Sequence, residues 1–290
     1  MTYRGRFAPS PTGDLHAGSL VAALGSWLRA RQSDGRWLLR VDDLDAPRVV
    51  PGSAPSILSA LHDYGLQADE PVLYQSQRET AYLQAFEHLQ QHGEVFACWC
   101  SRSDLSAVDG LHRDGHCITP PQDDRPPAWR IRVPDRAFAF EDLVQGTQQQ
   151  NLRESVGDFV LRRADGCWSY HLACVVDDAH QGVTEVVRGC DLLDSTPRQI
   201  FLQQQLDLPT PSYLHLPLAL REDAGKLSKS TRDLPLDRTD PLPTLRHALT
   251  FLGQPEPSGG DLRTLLQNAL AAFDPRRIPH RHSAPWPGTS

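Results

Sequence analysis

Strand-like and helical patterns of hydrophobic residues alternate through the first hundred residues of the chain. The predicted strands cover residues 3–8, 37–41, 72–76 and 95–99, and the predicted helices cover residues 17–32, 53–65 and 77–92. Apolar runs bounded by glycine and acidic residues are typical of buried parallel strands, each of which needs a crossover helix to reach the next. The pattern therefore predicts an α/β fold with a Rossmann-type doubly wound parallel sheet, whose ligands bind at the carboxyl ends of the strands.

The alternation is interrupted once and changes again near the C-terminus. Between Cys98 and Gln150, Pro, Asp, Arg and Cys residues dominate, which predicts an inserted subdomain. Strand-like runs at 159–163, 183–188 and 214–220 and a helical pattern at 196–206 complete the sheet, and helical patterns follow at 242–253 and 261–273. We expect four units: 1–97 and 158–232 as the two halves of the Rossmann domain, 98–157 as the insert, and 233–290 as a short helical C-terminal region with a Pro/His/Arg-rich tail.

Composition argues against several classes of protein. The formal net charge of −7 argues against a chain that coats nucleic acid through a basic surface, so any RNA contact must be local. The first residues form no apolar segment and no run of 18 apolar residues occurs, so the sequence predicts neither secretion nor a membrane span. We expect a cytoplasmic protein and a monomer, whose six cysteines do not form a disulfide framework.

Two distant segments carry residues expected of a nucleotide site. The turn Pro9–Gly13 joins a predicted strand to a predicted helix, and a helix N-terminus there offers free N–H groups to a phosphate chain. His16 can donate a hydrogen bond to phosphate oxygens, and Gly18 lets a base or ribose approach the backbone. Much later, Lys226-Leu227-Ser228-Lys229-Ser230 places two lysines where they can neutralise a departing pyrophosphate. Either segment alone is typical of an ordinary turn, and it is their pairing that favours a nucleotide site.

The chain resembles the glutamyl branch of the class I aminoacyl-tRNA synthetases. The segment from Arg6 to Ser19 is similar to the HIGH signature of that class, and Lys226–Ser230 is similar to its KMSKS signature. Three further blocks stand in the order that the family has, at residues 39–45, 170–178 and 182–189. The resemblance runs from about residue 4 to residue 232, and it implies an ATP-dependent ligase that activates glutamate.

The resemblance also implies roles for individual residues. The implied glutamate site consists of Arg6, Phe7, Ala8, Pro9, Ser10, Asp42, Tyr170 and Arg188. The implied ATP site consists of His16, Gly18, Ser19, Lys226, Ser228 and Lys229, with Mg²⁺ accompanying ATP and with His16, Lys226 and Lys229 acting in catalysis. Arg6 would pair with a substrate carboxylate, and Asp42 would hold the substrate ammonium group. Two arginines suit an acidic substrate, because a bidentate contact between Arg and a carboxylate is strong and directional.

Two positions depart from the family pattern. Asp42 stands where the family has Glu, so its carboxylate reaches about 1.5 Å less far, the length of one carbon–carbon bond. Cys174 stands where the full-length glutamyl enzymes have Asn, and the change removes an amide that could contact substrate. We expect weaker glutamate binding, since one neutral hydrogen bond contributes about 0.5–1.5 kcal/mol.

The expected acceptor comes from the resemblance to short members of the family. Full-length glutamyl enzymes continue well beyond KMSKS into domains that read the anticodon, and we expect this chain to lack them. The short members transfer activated glutamate to the queuosine base in the anticodon loop of tRNA(Asp), so queuosine-containing tRNA(Asp) is the implied partner. Three alternatives remain open: a truncated enzyme that charges tRNA(Glu), a catalytically silent RNA-binding paralogue, and a small-molecule nucleotidyltransferase of the same superfamily.

Cysteines and histidines in the insert predict a structural zinc site. Cys98, Cys100 and Cys117 with one imidazole would complete a tetrahedral set, although the C-x-C spacing is shorter than usual and reduced, metal-free cysteines stay an alternative. The short relatives carry a similar insert in which a Tyr often supplies the fourth ligand. No Tyr lies between Cys100 and Cys117 here, so His112 is the expected fourth ligand and His116 the alternative.

Overall fold

Helices and strands alternate along the chain. A computed structural model describes residues 2–107, 109–220 and 236–287. The helices are α1 (Ala17–Gln32), α2 (Ser53–Asp63), α3 (Glu79–Gln91), α4 (Arg102–Ser106), α5 (Leu152–Ser155), α6 (Tyr170–His180), α7 (Thr196–Gln205), α8 (Leu242–Phe251) and α9 (Leu262–Ala272). The strands are β1 (Arg4–Phe7), β2 (Arg36–Val41), β3 (Leu73–Tyr74), β4 (Val95–Cys98), β5 (Ala128–Ile131), β6 (Ala137–Asp142), β7 (Gly146–Asn151), β8 (Phe159–Arg162), β9 (Glu185–Gly189), β10 (Ser212–Leu216), β11 (Leu218–Leu220) and β12 (Ser283–Pro285). A membrane-spanning helix is not found among these residues.

Most of these elements lie where the hydrophobic pattern predicts them. α1 has the predicted bounds, and β1, β2, β9, α2, α3, α7, α8 and α9 begin and end within two residues of prediction. The run at 214–220 is two strands, β10 and β11, separated at Pro217, which has no backbone N–H to donate. α6 is a helix that the pattern does not predict, although Ser169 caps it by accepting a hydrogen bond from Leu172 N–H.

Two sets of parallel strands adjoin at the centre of the fold. In the first set, β1 pairs with β2 and β2 with β3; in the second, β9 pairs with β10 and β10 with β6. β1 lies against β9, and at that junction Thr184 N–H donates to the carbonyl oxygen of Arg4 (2.9 Å). The place where the two halves of a doubly wound sheet meet is the position at which such folds bind ligands.

The predicted α/β class is confirmed and the central strands pair in parallel as expected, but antiparallel strands adjoin them. β6 and β7 form an antiparallel hairpin, and β4, β5 and β8 form a separate antiparallel sheet. Only residues 143–145 connect β6 to β7, and a connection this short cannot make the crossover that parallel pairing requires. β8, predicted to complete the Rossmann sheet, belongs to the antiparallel sheet. The boundaries of the four units stay predictions; β6 and β7 lie within 98–157 yet pair in the sheet of β9 and β10.

The central strands separate two hydrophobic clusters. Val186 of β9 and Tyr213 of β10 belong to the cluster that includes α3, α6 and α7, whereas the next residues, Val187 and Leu214, belong to the cluster that includes α1, α8 and α9. Successive side chains of a strand point to opposite faces of the sheet. The alternation therefore shows helices packed on both faces, so the strand ends are rigidly supported.

A buried acid ties α6 to the chain around α3. Asp177 is fully buried and accepts hydrogen bonds from Tyr82 Oη (2.7 Å), Gln75 Nε2 (2.9 Å) and Arg78 Nε (3.1 Å). We expect Asp177→Ala to lower the free energy of unfolding by about 3 kcal/mol, because three donors, one of them a cation, lose their acceptor. Urea denaturation measures the change. Asp124→Ala, at an exposed position, is the control, and equal stability of the two variants would contradict the expectation.

Candidate active site and metal centre

A cavity of about 590 Å³ opens at the carboxyl ends of β1, β2, β9 and β10. Every predicted glutamate- or ATP-site residue in the described part of the chain lines it: Arg6, Phe7, Ala8, Pro9, Ser10, His16, Gly18, Ser19, Asp42, Tyr170 and Arg188. Lys226, Ser228 and Lys229 lie outside the described residues. Segments far apart in the sequence thus meet around one space of a size typical for small-molecule ligands. The role of each residue stays a prediction.

His16 caps α1 at one wall of this cavity. Ser19 N–H donates to His16 Nδ1 (3.3 Å), and the Ser19 hydroxyl lies 2.9 Å from His16 Nε2. Within the described helix α1, the first turn carries no acidic side chain. The N-terminus of α1 therefore keeps its positive electrostatic potential beside the cavity, which favours an anionic phosphate chain there.

Arg6 pairs with an acid to which the sequence analysis assigns no role. Its Nε donates to Asp178 Oδ1 (3.1 Å) and its Nη2 to Asp178 Oδ2 (3.4 Å). Arg40 Nη1 donates to the same Asp178 Oδ1 (2.5 Å), and Arg40 Nε donates to Asp42 Oδ1 (2.8 Å). Arg6 is only 3% exposed and Arg40 is fully buried. Two guanidinium groups and two carboxylates thus form one buried network at the base of the cavity.

The network shifts the pKa values of its two carboxyl groups in opposite directions. Burial favours the neutral form of Asp178, but Arg6 and Arg40 outweigh burial and hold the pKa of Asp178 well below its usual range. At Asp42 burial prevails and raises the pKa of the carboxyl, although Arg40 opposes the shift. Asp178 pairs with both arginines, whereas Asp42 pairs with Arg40 and also lines the cavity, as expected of a residue that faces substrate.

Cys174 lies within the same network. Its Sγ is 3.5 Å from Arg40 Nη2 and 3.9 Å from Arg6 Nη2, and the thiol donates to Asp178 Oδ2 (3.5 Å). The side chain is buried, and burial raises the pKa of the thiol. The residue that replaces the family Asn therefore contacts the arginines beneath the cavity; its predicted effect on glutamate binding stays a prediction.

Arg188 is a buried cation held by neutral acceptors. Its Nη1 donates to Gln199 Oε1 (2.8 Å) and Tyr170 Oη (3.3 Å), and its Nη2 donates to Thr196 Oγ1 (2.8 Å) and the carbonyl oxygen of Leu192 (3.2 Å). Its Nε donates to a ring nitrogen of His215 (3.0 Å). Among the described residues, no carboxylate forms an ion pair with Arg188. A buried guanidinium without a direct counter-ion, on the wall of a cavity, suits an anionic ligand.

Several polar residues that support the cavity have no predicted role. Among them are Arg40, Asp178, Thr196, Gln199 and His215. The helical period could have indicated Asp178, because Tyr170, Cys174 and Asp178 are spaced i, i+4, i+8 and so share one face of α6. Strand alternation likewise places Arg40 on the same side of β2 as Asp42. Nothing local in the sequence indicates Thr196 or Gln199.

The predicted metal ligands come together in the insert. One nitrogen or sulfur atom from each of Cys98, Cys100, His112 and Cys117 lies within 4.8 Å of the others. The alternative ligand, His116, is exposed and is not part of this group. Burial alone would raise the pKa of Cys98, but the nearby His112 imidazole, the Cys100 backbone and Arg130 outweigh it and lower the pKa to about 6. Burial and the neighbouring cysteines raise the pKa of Cys117, so it is the geometry of the four side chains that favours a Cys₃His metal site.

His112 is oriented for metal binding by an acid on its far side. His112 Nδ1 lies 3.0 Å from Asp158 Oδ2, and both side chains are fully buried. His112 Nε2 is buried without a hydrogen-bond partner among the described residues. A carboxylate on one ring nitrogen and an open second nitrogen beside thiols is the arrangement of a metal-bound histidine. Gly157, at φ +69°, permits the fold of this loop, since a Cβ there would meet the His112 carbonyl oxygen at 2.3 Å.

Comparison with known proteins decides the family. The family model for the catalytic domain of class I tRNA synthetases (E and Q) matches residues 2–240. The chain belongs to this family. The predicted family and the predicted class of enzyme, an aminoacyl-tRNA synthetase ligase, are therefore confirmed.

Several curated members of the family are similar over nearly the whole chain. A protein of Xanthomonas campestris pv. campestris (strain 8004), named glutamyl-Q tRNA(Asp) synthetase, is 52% identical over 283 residues, which cover 96% of this chain and 94% of the relative. A protein of the same name from Burkholderia cenocepacia (strain HI2424) is 52% identical over 262 residues, covering 87% and 88%. The prediction of a glutamyl-type synthetase is confirmed by the family model and by the names of these relatives.

Solved synthetases share the fold. The crystal structure of a glutamate tRNA ligase from Elizabethkingia meningosepticum, in complex with its amino acid, has a TM-score of 0.82 and 25% sequence identity to this chain. The similarity covers 99% of this chain and 67% of that ligase. The class I synthetase fold thus accounts for the whole described structure, with mixed sheets in place of the expected parallel one.

The buried pair of Asp178 with two arginines predicts a pH-dependent stability. A carboxyl group whose pKa is lowered by folding stabilises the fold above its unfolded pKa, about 3.9 for Asp, and this contribution is lost as pH falls toward the folded value. We expect Asp178→Asn to lower the free energy of unfolding by about 3 kcal/mol at pH 7, and the difference from wild type to shrink below about pH 4. Urea denaturation at several pH values measures both.

A surface ion pair provides the control for this substitution. Asp165 pairs with Arg163 (2.6 Å) at an exposed position, so Asp165→Asn should change stability by less than about 1 kcal/mol. An Asp178→Asn difference that stays constant down to pH 3 would show that the carboxylate charge does not stabilise the arginines.

Proposed function

We propose that this chain activates glutamate with ATP and transfers it to the queuosine base in the anticodon loop of tRNA(Asp). The observation that carries the first half is the cavity, which is lined both by the buried Arg188, without a direct counter-ion among the described residues, and by the N-terminus of α1. Arg188 suits a substrate carboxylate, and the N-terminus of α1 suits phosphate. The second half rests on the relatives named glutamyl-Q tRNA(Asp) synthetase at 52% identity.

Activation joins the two ends of the cavity. The glutamate α-carboxylate attacks the α-phosphate of ATP in line. The bond between the α-phosphorus and the bridging oxygen breaks, and pyrophosphate leaves. Mg²⁺ enters with ATP as part of the substrate and neutralises phosphate charge. His16 and the N–H groups of the first turn of α1 stabilise the phosphate oxygens, and the predicted lysines Lys226 and Lys229 act on the leaving pyrophosphate.

Substrate recognition uses the opposite wall. Arg188 and Tyr170 face one glutamate carboxylate, and Asp42 accepts hydrogen bonds from the substrate ammonium group. Arg6, held by Asp178, adds positive charge at the base of the pocket. In the transfer step, a hydroxyl of the queuosine cyclopentene diol attacks the mixed anhydride, an ester forms, and AMP leaves.

The Cys/His cluster is proposed to hold a structural zinc ion. Cys98, Cys100, Cys117 and His112 would supply three thiolates and one imidazole, and zinc bound there would crosslink a loop that has few apolar contacts of its own. The buried, unpartnered Nε2 of His112 supports this assignment, because a buried nitrogen without any partner is unfavourable.

Glutamate specificity is tested by ATP–pyrophosphate exchange with each of the twenty amino acids. We expect glutamate to be the only strong responder, and Lys229→Ala to abolish the exchange because the leaving pyrophosphate loses its counter-charge. Exchange driven better by another amino acid, or none with glutamate, would exclude the proposed activation step and favour the silent RNA-binding paralogue.

The acceptor is tested separately with labelled glutamate. Transfer to tRNA(Asp) that contains queuosine, and not to tRNA(Asp) without it, is the expected result. Charging of tRNA(Glu) alone would leave activation intact and show instead a truncated glutamyl-tRNA synthetase.

Zinc content distinguishes the two histidines of the insert. We expect the wild type to carry about one zinc ion per chain, His112→Ala to lose it, and His116→Ala to retain it because His116 is exposed and outside the cluster. Elemental analysis after gel filtration gives the metal content, and thermal unfolding with and without a chelator gives its effect on stability. Zinc-free wild type, or loss of zinc in His116→Ala alone, would overturn the ligand set.

A further inference from the structure

Three buried side chains stand in line behind one wall of the cavity. Asp142 ends β6, His215 lies in β10, and Arg188 lies in β9 directly opposite His215 in the strand register. Asp142 Oδ2 is 2.6 Å from His215 Nδ1, and Arg188 Nε donates to His215 Nε2 at 3.0 Å. The Asp142 and His215 side chains are fully buried.

Hydrogen-bond chemistry allows one arrangement of protons along this line. Arginine has donors only, so His215 Nε2 must present a lone pair to Arg188 Nε–H. His215 Nδ1 then carries the proton and donates a hydrogen bond to Asp142 Oδ2. The other oxygen of Asp142 accepts hydrogen bonds from the backbone N–H groups of Val144 (3.0 Å) and Gln145 (2.8 Å). Burial lowers the pKa of His215, although Asp142 opposes the shift, in agreement with a neutral ring.

The His215 imidazole keeps the Asp142 carboxylate out of direct contact with Arg188. A carboxylate in direct contact with Arg188 would compete with a substrate carboxylate for the same guanidinium. Because the His215 ring lies between them, Asp142 orients Arg188 without contacting it. The positive charge of the guanidinium therefore stays available on the cavity side. The remaining bonds of Arg188, to Tyr170, Gln199, Thr196 and the Leu192 carbonyl, are likewise to neutral acceptors.

We propose that Asp142 and His215 are positioning residues of the glutamate pocket, which fix the orientation of Arg188 for a substrate carboxylate. The inference rests on the proposed activation of glutamate. It gives the β6–β7 hairpin, which lies in the range predicted as an insert, a direct connection to substrate recognition. Neither residue touches the cavity, so both act through Arg188.

Asp142→Asn tests the proton arrangement while keeping the shape of the side chain. The Asn oxygen can still accept from the backbone, but its amide then faces His215 Nδ1 as a donor. His215 must respond by moving its proton to Nε2, where it meets Arg188 Nε–H, donor against donor. We expect the KM for glutamate in ATP–pyrophosphate exchange to rise about tenfold or more, since a buried donor loses its acceptor. The KM for ATP should stay within about twofold, because Arg188 does not contact the nucleotide in the proposed arrangement.

A pair of His215 variants separates positioning from packing. In His215→Gln the amide oxygen can reach the place of Nε2 and accept from Arg188, whereas in His215→Asn the shorter side chain can reach only Asp142. We expect His215→Gln to keep a KM for glutamate several-fold lower than that of His215→Asn. Tyr213→Phe, on the same strand as His215, is the control: it removes a buried hydrogen bond from Gln203 Nε2 (3.1 Å) but keeps the ring that lies under the Arg188 guanidinium (5.7 Å) and beside the His215 ring.

The outcomes separate this inference from the proposed function. A wild type that shows no glutamate-dependent exchange rejects the proposed function, and this inference with it. A wild type that is active, with Asp142→Asn equal to it in KM for glutamate, rejects only the positioning role. Equal losses in His215→Gln, His215→Asn and Tyr213→Phe, in step with their melting temperatures, would also reject it by showing a packing effect.

Discussion

The structure depends on keeping buried guanidinium groups ionised and oriented at the junction of β1 and β9. Arg6, Arg40 and Arg188 are all 5% exposed or less, and a buried charge is unfavourable unless it is paired or fully hydrogen-bonded. Asp178 on α6 neutralises two of them, and His215, Gln199 and Thr196 satisfy the third. The helices and strands that supply these partners must therefore pack where they do for the cavity to exist.

The different treatment of the arginines accounts for the chemistry of the cavity. Arg6 and Arg40 share the Asp178 carboxylate, and Arg40 also pairs with Asp42, so ion pairs hold the base of the cavity rigidly. Arg188 donates only to neutral acceptors, so it has no direct counter-ion among the described residues. Its guanidinium suits an anionic ligand such as a carboxylate, and the N-terminus of α1 suits a phosphate chain. The same cavity can thus bring a carboxylate and a phosphate together.

Two features of the segment between β4 and β8 bear on the candidate sites. Its Cys/His cluster lies beside Cys98, with Asp158 bonded to the far side of His112. Its β6–β7 hairpin pairs with β10 and places Asp142 against His215, behind Arg188. The range that looks in sequence like an addition to the Rossmann domain is, in three dimensions, part of the support for the wall of the cavity.

The sequence by itself determined most of the helices and strands outside the insert, the α/β class and the residues that line the cavity. Local patterns carry this information, because hydrophobic period decides helix or strand, and a family signature keeps residues such as His16, Arg6 and Arg188 in recognisable contexts. All the predicted glutamate- and ATP-site residues within the described ranges line one cavity. His112 was the expected metal ligand and His116 the alternative, and the burial of His112 against Asp158 separates the two.

Only the tertiary structure decided which polar groups stand behind those residues. Asp178 is far along the chain from Arg6, and Asp142 is far from Arg188, so no periodicity or spacing connects them. The antiparallel pairing of β8 with β5 was equally out of reach, because it joins strands that a long segment separates and so depends on long-range packing. Residues that face a ligand carry a local signature, whereas the partners that orient them are selected by contact in the folded chain.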